Sequence, residues 1–149
     1  MTGMEKELAN LEELTSEAAR FAGTLAPKEG AATLIALSGE LGAGKTSFSQ
    51  GVARALGVTE AVTSPTFVLE KEYALKGQSF KRLVHIDAYR LKEGSEMAAL
   101  GFTERLADPA NLILLEWPER VMDALPAPDV AITLAVSPSG GRTITYAKN

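Results

Sequence analysis

The sequence predicts an α/β fold: a mixed, mostly parallel sheet flanked by helices, with an antiparallel hairpin. Three observations lead there. Short apolar runs of strand length alternate with stretches of helical periodicity. A glycine-rich segment, Gly39–Gly44, joins one such run to one such helix. Two further pairs of strand-like stretches are each separated by turn-forming residues, Lys76-Gly77-Gln78 and Pro138-Ser139-Gly140-Gly141. The chain has 149 residues, the size of one domain, so residues 1–149 are read as a single unit.

The elements follow in order. Thr15 is expected to cap the first helix through its hydroxyl, with Ala18, Ala19, Phe21, Ala22 and Leu25 as the apolar stripe. Pro27, Glu29 and Gly30 end that helix. Thr33–Ser38 is a short apolar run bounded by glycine and reads as a buried strand. A helix from Lys45 to Leu56 is expected next, closed by Gly57 in the position after its cap. Residues 62–73 and 80–87 form the expected hairpin. Residues 93–107 suggest short helical turns, and Leu112–Leu115 another buried strand. Pro118–Leu125 reads as a short helix with Pro118 in its first turn. Val130–Val136 and Thr143–Tyr146 alternate as a closing pair of strands.

Composition removes several classes of function. Hydrophobic residues make up 46% and charged residues 23% of the chain, which excludes disordered, collagen-like and wholly coiled-coil chains. With no cysteine, a disulfide scaffold, a cysteine-ligated zinc and a thiol nucleophile are excluded. With His85 as the sole histidine, a histidine-rich metal cluster is excluded too. No stretch is long and apolar enough for a membrane span or a signal core, so the expectation is a cytoplasmic protein with no membrane partner. The net charge of −4 argues against coating nucleic acid by bulk charge. The charge is uneven. Residues 71–92 carry Lys71, Lys76, Lys81, Arg82, Arg90 and Lys92, whereas residues 93–129 are acidic. The basic run reads as a solvated hairpin face that leaves room for a local patch.

The strongest signal is Gly39-Glu40-Leu41-Gly42-Ala43-Gly44-Lys45-Thr46, a full match to G-x-x-x-x-G-K-[ST] between an apolar strand and a helix. The expectation is therefore a P-loop NTPase domain. In such a loop, glycines let backbone N–H groups turn inward as a nest for phosphate oxygens. The helix N-terminus adds partial positive charge. Gly39, Gly42, Ala43, Gly44 and Ser47 are candidate backbone contacts. Lys45 reaches the β- and γ-phosphates, and the Thr46 hydroxyl can ligate Mg²⁺.

Such a loop needs acidic partners at the ends of neighbouring strands. Leu83–Ile86 ends in Asp87, and Leu112–Leu115 ends in Glu116. Both are expected to face the ligand crevice at the carboxyl edge of a parallel sheet. One would serve Mg²⁺ and the other would orient or deprotonate the attacking group; spacing does not say which. Trp117 follows Glu116 and is expected beside the same crevice or in the core. His85 shares a strand face with Asp87 and reads as a structural histidine. Ser64-Pro65-Thr66 offers hydroxyls for a switch-like loop.

Together these residues carry a resemblance. Gly39–Phe48 (GELGAGKTSF), Val62–Leu69 (VTSPTFVL), His85–Leu91 (HIDAYRL), Glu96–Glu104 (EMAALGFTE) and Glu116-Trp117-Pro118-Glu119 resemble the bacterial TsaE (YjeE) family, in family order from about residue 15 to about residue 125. Ser47 stands where a second threonine is usual and keeps the hydroxyl. The resemblance implies an accessory Mg²⁺-dependent ATPase for threonylcarbamoylation of the adenosine beside the anticodon of tRNA. It implies TsaD-like and TsaB-like protein partners, with tRNA contacted indirectly or weakly. It also implies that Lys45 and Thr46 hold phosphate and Mg²⁺, that Thr66 is the switch-like threonine, and that Asp87 and Glu116 are the functional acids. Trp117 is implied beside Glu116, and Thr15 near the adenine. Two other readings compete. A small-molecule or nucleoside kinase would need an arginine-bearing lid, and Arg90, Arg105 and Arg120 form no obvious one. A non-catalytic module would use ATP only to stabilise a docking surface. A GTPase is disfavoured because no N-K-x-D motif is present.

Overall fold

The computed structural model describes residues 3–60 and 70–149. Seven strands form one sheet: β1 (Gly3–Leu8), β2 (Thr33–Ser38), β3 (Glu70–Ala74), β4 (Arg82–Asp87), β5 (Asn111–Glu116), β6 (Val130–Val136) and β7 (Arg142–Lys148). Their order across the sheet is β1-β7-β6-β2-β5-β4-β3. The four central strands, β6, β2, β5 and β4, are parallel neighbours. β7 and β3 run the other way, and β1 returns to the common direction beside β7. The expected mixed, mostly parallel sheet is present, with an antiparallel hairpin at each side of its centre.

β2 and β5, at the centre, are apolar through their middles because both sheet faces are covered there. Alternate side chains of β5 go to opposite sides, as the pleat demands. Leu112 and Leu114 join a core with Phe21 and Phe48 from the helices α1 (Leu11–Ala22) and α2 (Lys45–Ala55). Ile113 and Leu115 join a second core with Met97, Phe102 and Val121, on the 3₁₀ stretch Gly94–Leu100, the short helix α3 (Phe102–Leu106) and the turns that follow β5. The expected strands at Thr33–Ser38, 80–87 and Leu112–Leu115 therefore stand, to within two residues at their ends. The Lys45 helix ends at Ala55, with Gly57 in the left-handed region at φ 89°. Expected positions 62–69 of the first hairpin strand lie outside the described residues. Its hairpin connection closes with Leu75 N–H donating to the Lys81 carbonyl at 2.9 Å.

Three expectations are corrected. The first helix is capped by Asn10, not Thr15: the Asn10 side chain accepts from Glu13 N–H at 2.9 Å, and Glu13 reaches back to Ala9 N–H at 2.9 Å. Asx and Glu at this spacing satisfy two orphan donors, so the helix begins four residues before Thr15, which lies exposed within it. The helix also ends at Ala22, with Gly23 as its cap, ahead of Pro27. The Pro118–Leu125 helix is two 3₁₀ turns, Pro118–Arg120 and Met122–Ala124. Strand β1 was not expected at all. Its Glu5, Lys6 and Glu7 carry weak strand propensity, and it is held by an antiparallel backbone ladder to β7. Among the described residues no helix is long and apolar enough to cross a membrane.

A buried polar cluster ties α1 to β1 and β7. Glu17 accepts from Arg20 at 2.6 and 3.0 Å, from Lys6 at 3.3 Å and from the Tyr146 hydroxyl at 2.5 Å. Burial pushes the Glu17 carboxyl up, but the bonds from Arg20, Tyr146 and Lys6 outweigh it and hold the group down at about 2, against an ordinary 4.5. Burial, and then Glu17 itself, pushes the Tyr146 phenol upward. A carboxyl lowered on folding contributes stability that is complete above the unfolded value and disappears as pH falls through the folded one. The shift from 4.5 to about 2 corresponds to roughly 3 kcal/mol. We therefore expect denaturant unfolding to lose roughly 3 kcal/mol between about pH 5.5 and about pH 2 through this one site. Glu17→Gln should be less stable at neutral pH and show a flatter profile across that window. Parallel pH profiles for the two proteins would contradict this assignment.

Candidate functional site

The phosphate loop lies between β2 and α2, at the carboxyl edge of the sheet. Its backbone explains its glycines. Gly44 caps α2 with φ 104°, a left-handed conformation costly for other residues. A Cβ on Gly39 would sit 2.5 Å from the Leu134 carbonyl of β6, so the loop can lie on the sheet only with glycine there. Ala43 is fully buried beneath the loop. Lys45 opens α2 and is itself buried, its ammonium donating to the Gly39 carbonyl and to the Glu40 carbonyl, the latter at 3.0 Å.

The acids come from the strand register. Parallel pairing of β4 with β5 sets Asp87 directly beside Glu116. Both are buried, and both lie on the α2 side of the sheet, because Leu83 and Leu114, two and more positions back on the same faces, pack in the α1–α2 core. Asp87 accepts from Tyr89 N–H at 2.9 Å. Glu116 accepts from His85 Nε2 at 2.5 Å, both side chains almost wholly buried. His85 is thus more than core filling: it holds one oxygen of the Glu116 carboxylate. Its Nδ1 is buried and has no hydrogen-bond partner among the described residues.

Trp117 stands over the loop lysine, with the Lys45 ammonium 4.2 Å from its ring centroid. It does so through a strained turn, at φ 60° and ψ 51° immediately before Pro118. That conformation is uncommon for a bulky residue and is further disfavoured by a following proline. The Tyr89 ring tilts against Trp117 at 4.9 Å, and the Arg120 guanidinium lies 5.3 Å from Tyr89. Burial pushes the Lys45 amine below its ordinary value, and the carboxylates of Glu116, Glu119, Asp87 and Glu40 only partly restore it.

These groups surround a cavity of about 560 Å3, within the range of a small-ligand site. Gly42, Gly44, Lys45, Thr46 and Ser47 line it from the loop, and Asp87, Glu116 and Trp117 from the strand ends. Gly39 and Ala43 shape the loop from beneath. Thr15 does not line the cavity; Asn10, Leu11 and Leu14 from the start of α1 do. Thr66 lies outside the described residues. Motif reading also missed Tyr89 and the far wall, Gly140, Gly141 and Arg142. The signal for Tyr89 was its place two residues after Asp87; Arg142 had none, since its contact is long-range. The donor set suits a hard cation: one hydroxyl and two carboxylates, with no thiol and with the histidine ring nitrogen Nε2 engaged by Glu116.

The chain is similar to known proteins in sequence and in fold. The family model for the threonylcarbamoyl adenosine biosynthesis protein TsaE matches residues 8–144. A tRNA threonylcarbamoyladenosine biosynthesis protein TsaE of Streptomyces coelicolor is 46% identical over 96 residues, which is 64% of this chain and 63% of that protein. The protein so named in Treponema pallidum is 38% identical over 115 residues, 77% of this chain and 82% of the relative. The one in Rickettsia typhi is 34% identical over 145 residues, 97% and 90% of the two chains. The solved structure of YdiB from Bacillus subtilis superposes with a TM-score of 0.79 at 28% identity, covering 99% of this chain and 86% of that one. The match runs from the end of β1 into β7 and takes in the loop, both acids and Trp117, and on that ground the chain belongs to the TsaE family.

Proposed function

We propose that this chain is a Mg²⁺-dependent ATPase that serves threonylcarbamoylation of tRNA, working with TsaD-like and TsaB-like proteins. One observation carries the ATPase part: the in-register pair Asp87 and Glu116 faces the same cavity as Lys45 and Thr46 of the phosphate loop. The tRNA part rests on the family.

In this reading the loop's inward N–H groups and the α2 N-terminus bind the phosphate chain. The Lys45 ammonium exchanges its carbonyl partners for the β- and γ-phosphate oxygens and stabilises charge that develops during transfer. The Thr46 hydroxyl and one carboxylate of the pair would hold Mg²⁺, which would supply charge neutralisation and orientation of the phosphates. The other carboxylate of the pair accepts a hydrogen bond from the attacking water and fixes its line of approach. His85 keeps the Glu116 carboxylate in one rotamer for that task. Trp117 covers Lys45 and keeps bulk water from its ammonium. Products are ADP and phosphate.

The described part of the cavity is open and has no arginine lid, so hydrolysis by the isolated chain is expected to be slow. The purified chain is expected to hydrolyse ATP faster when the TsaB-like and TsaD-like proteins of its organism are added. Lys45→Ala should abolish that stimulation. Rapid hydrolysis that partners leave unchanged would contradict the partner-gated reading; no hydrolysis under any condition would contradict the ATPase.

Separate amide replacements divide the work of the acids. Asp87→Asn and Glu116→Gln are each expected to lower turnover by about 10²- to 10³-fold, the scale of losing one preorganised contact to the transition state. The acid that ligates the metal is identified as the one whose replacement also removes the Mg²⁺ dependence of ATP affinity. If neither replacement changed turnover, the pair would have no catalytic duty, as in a module that only binds ATP.

A further inference from the structure

Arg142 begins β7, on the far side of the chain from the phosphate loop in sequence, and its side chain spans the two. Its Nε donates to the Ala43 carbonyl at 3.1 Å and its Nη2 to the Gly42 carbonyl at 3.0 Å. Its Nη1 donates to the carbonyls of Gly141 at 3.0 Å and Gly140 at 3.3 Å. One planar guanidinium thus gathers four backbone carbonyls from two segments. The turn that carries Arg142 is itself braced. Ser137 N–H donates to the Gly141 carbonyl at 3.0 Å, and a Cβ on Gly141 would lie 2.4 Å from the Leu8 carbonyl of β1.

We propose that Arg142 is a positioning residue for phosphate binding, acting through the loop it clamps. A trans peptide is planar, with its C=O and N–H pointing in opposite directions. Holding the Ala43 carbonyl toward the guanidinium therefore aims the Gly44 N–H away from it, where it is available to a phosphate oxygen. The Gly42 carbonyl is held likewise, while Ala43 N–H closes the turn onto the Glu40 carbonyl at 3.1 Å. The loop is glycine-rich and would otherwise sample many backbone states. The clamp selects one before ligand arrives, and its positive charge favours an anion nearby. The fork matters as much as the charge. An ammonium is a point donor and does not span two carbonyls in a fixed plane. This inference rests on the nucleotide reading above.

The test is calorimetric binding of ADP and Mg²⁺ to the whole chain and to Arg142→Ala and Arg142→Lys, with melting temperatures alongside. Arg142→Ala is expected to bind at least about tenfold more weakly, the scale of one charge-assisted hydrogen bond. Arg142→Lys should lose nearly as much, and millimolar guanidinium ion should restore affinity to Arg142→Ala. A merely structural role would not give that rescue. Binding by either variant within twofold of wild type would overturn the clamp, and so would weakening that guanidinium does not relieve. If Arg142→Ala does not fold, Arg142→Lys decides alone. Failure of the wild-type chain to bind ADP would overturn the nucleotide reading, and the inference with it.

Discussion

The structure depends on one pairing, the parallel register of β4 with β5. It sets Asp87 beside Glu116 at the end of the sheet that the phosphate loop also overhangs. Two carboxylates buried side by side are costly unless hydrogen-bonded and faced by positive charge. Each has its partner: Tyr89 N–H on Asp87 and His85 on Glu116. The Lys45 amine, pushed down by burial and raised in part by the same acids, is the facing charge. A one-residue slip of β4 would turn Asp87 to the opposite face and dissolve the arrangement. The two apolar cores exist in part to forbid that slip, since Leu83 and Val84 belong to different ones.

The surrounding parts make the loop a rigid object. α2 packs against α1 through Phe48 and Phe21, whose ring centroids are 5.8 Å apart, and Phe21 stacks on Tyr146 of β7 at 5.4 Å. The Glu17 cluster fastens α1 to β1 and β7 from the same side. The start of α1 and the turn before β7 are therefore fixed as walls of the cavity. Their positions are set by packing some distance from the cavity, through Glu17 and Tyr146 among others. Trp117 concentrates strain where the proposed chemistry occurs, the usual place for it.

Much of this was legible in the sequence because the relevant signals are local. Thr33–Ser38 and Leu112–Leu115 are short apolar runs of strand length, as strands buried on both faces are. The phosphate loop announces itself by spacing. Asp87 and Glu116 were legible as acids at strand ends, although their adjacency required the strand order. What stayed hidden was non-local or held by backbone. β1 has no periodic signal, because a backbone ladder supports it while its side chains are mostly charged. Thr15 offers a hydroxyl ahead of an apolar stripe, whereas Asn10 with Glu13 makes the better pair of bonds. Arg142 meets the loop across about a hundred positions, and no spacing rule reaches that far. The His85–Glu116 bond likewise appears only when the strands are laid side by side.

In the proposed function, one cavity joins the loop, Lys45 and the acid pair into a site that hydrolyses nucleotide. The most direct test is a crystal structure with ADP, magnesium and an aluminium fluoride that mimics the transferring phosphoryl group. The expected result is a β-phosphate within the turn of Gly39–Thr46, a metal on the Thr46 hydroxyl, and the carboxylates of Asp87 and Glu116 on the metal and the attacking water. A nucleotide seated elsewhere, or both acids turned from the fluoride, would contradict it.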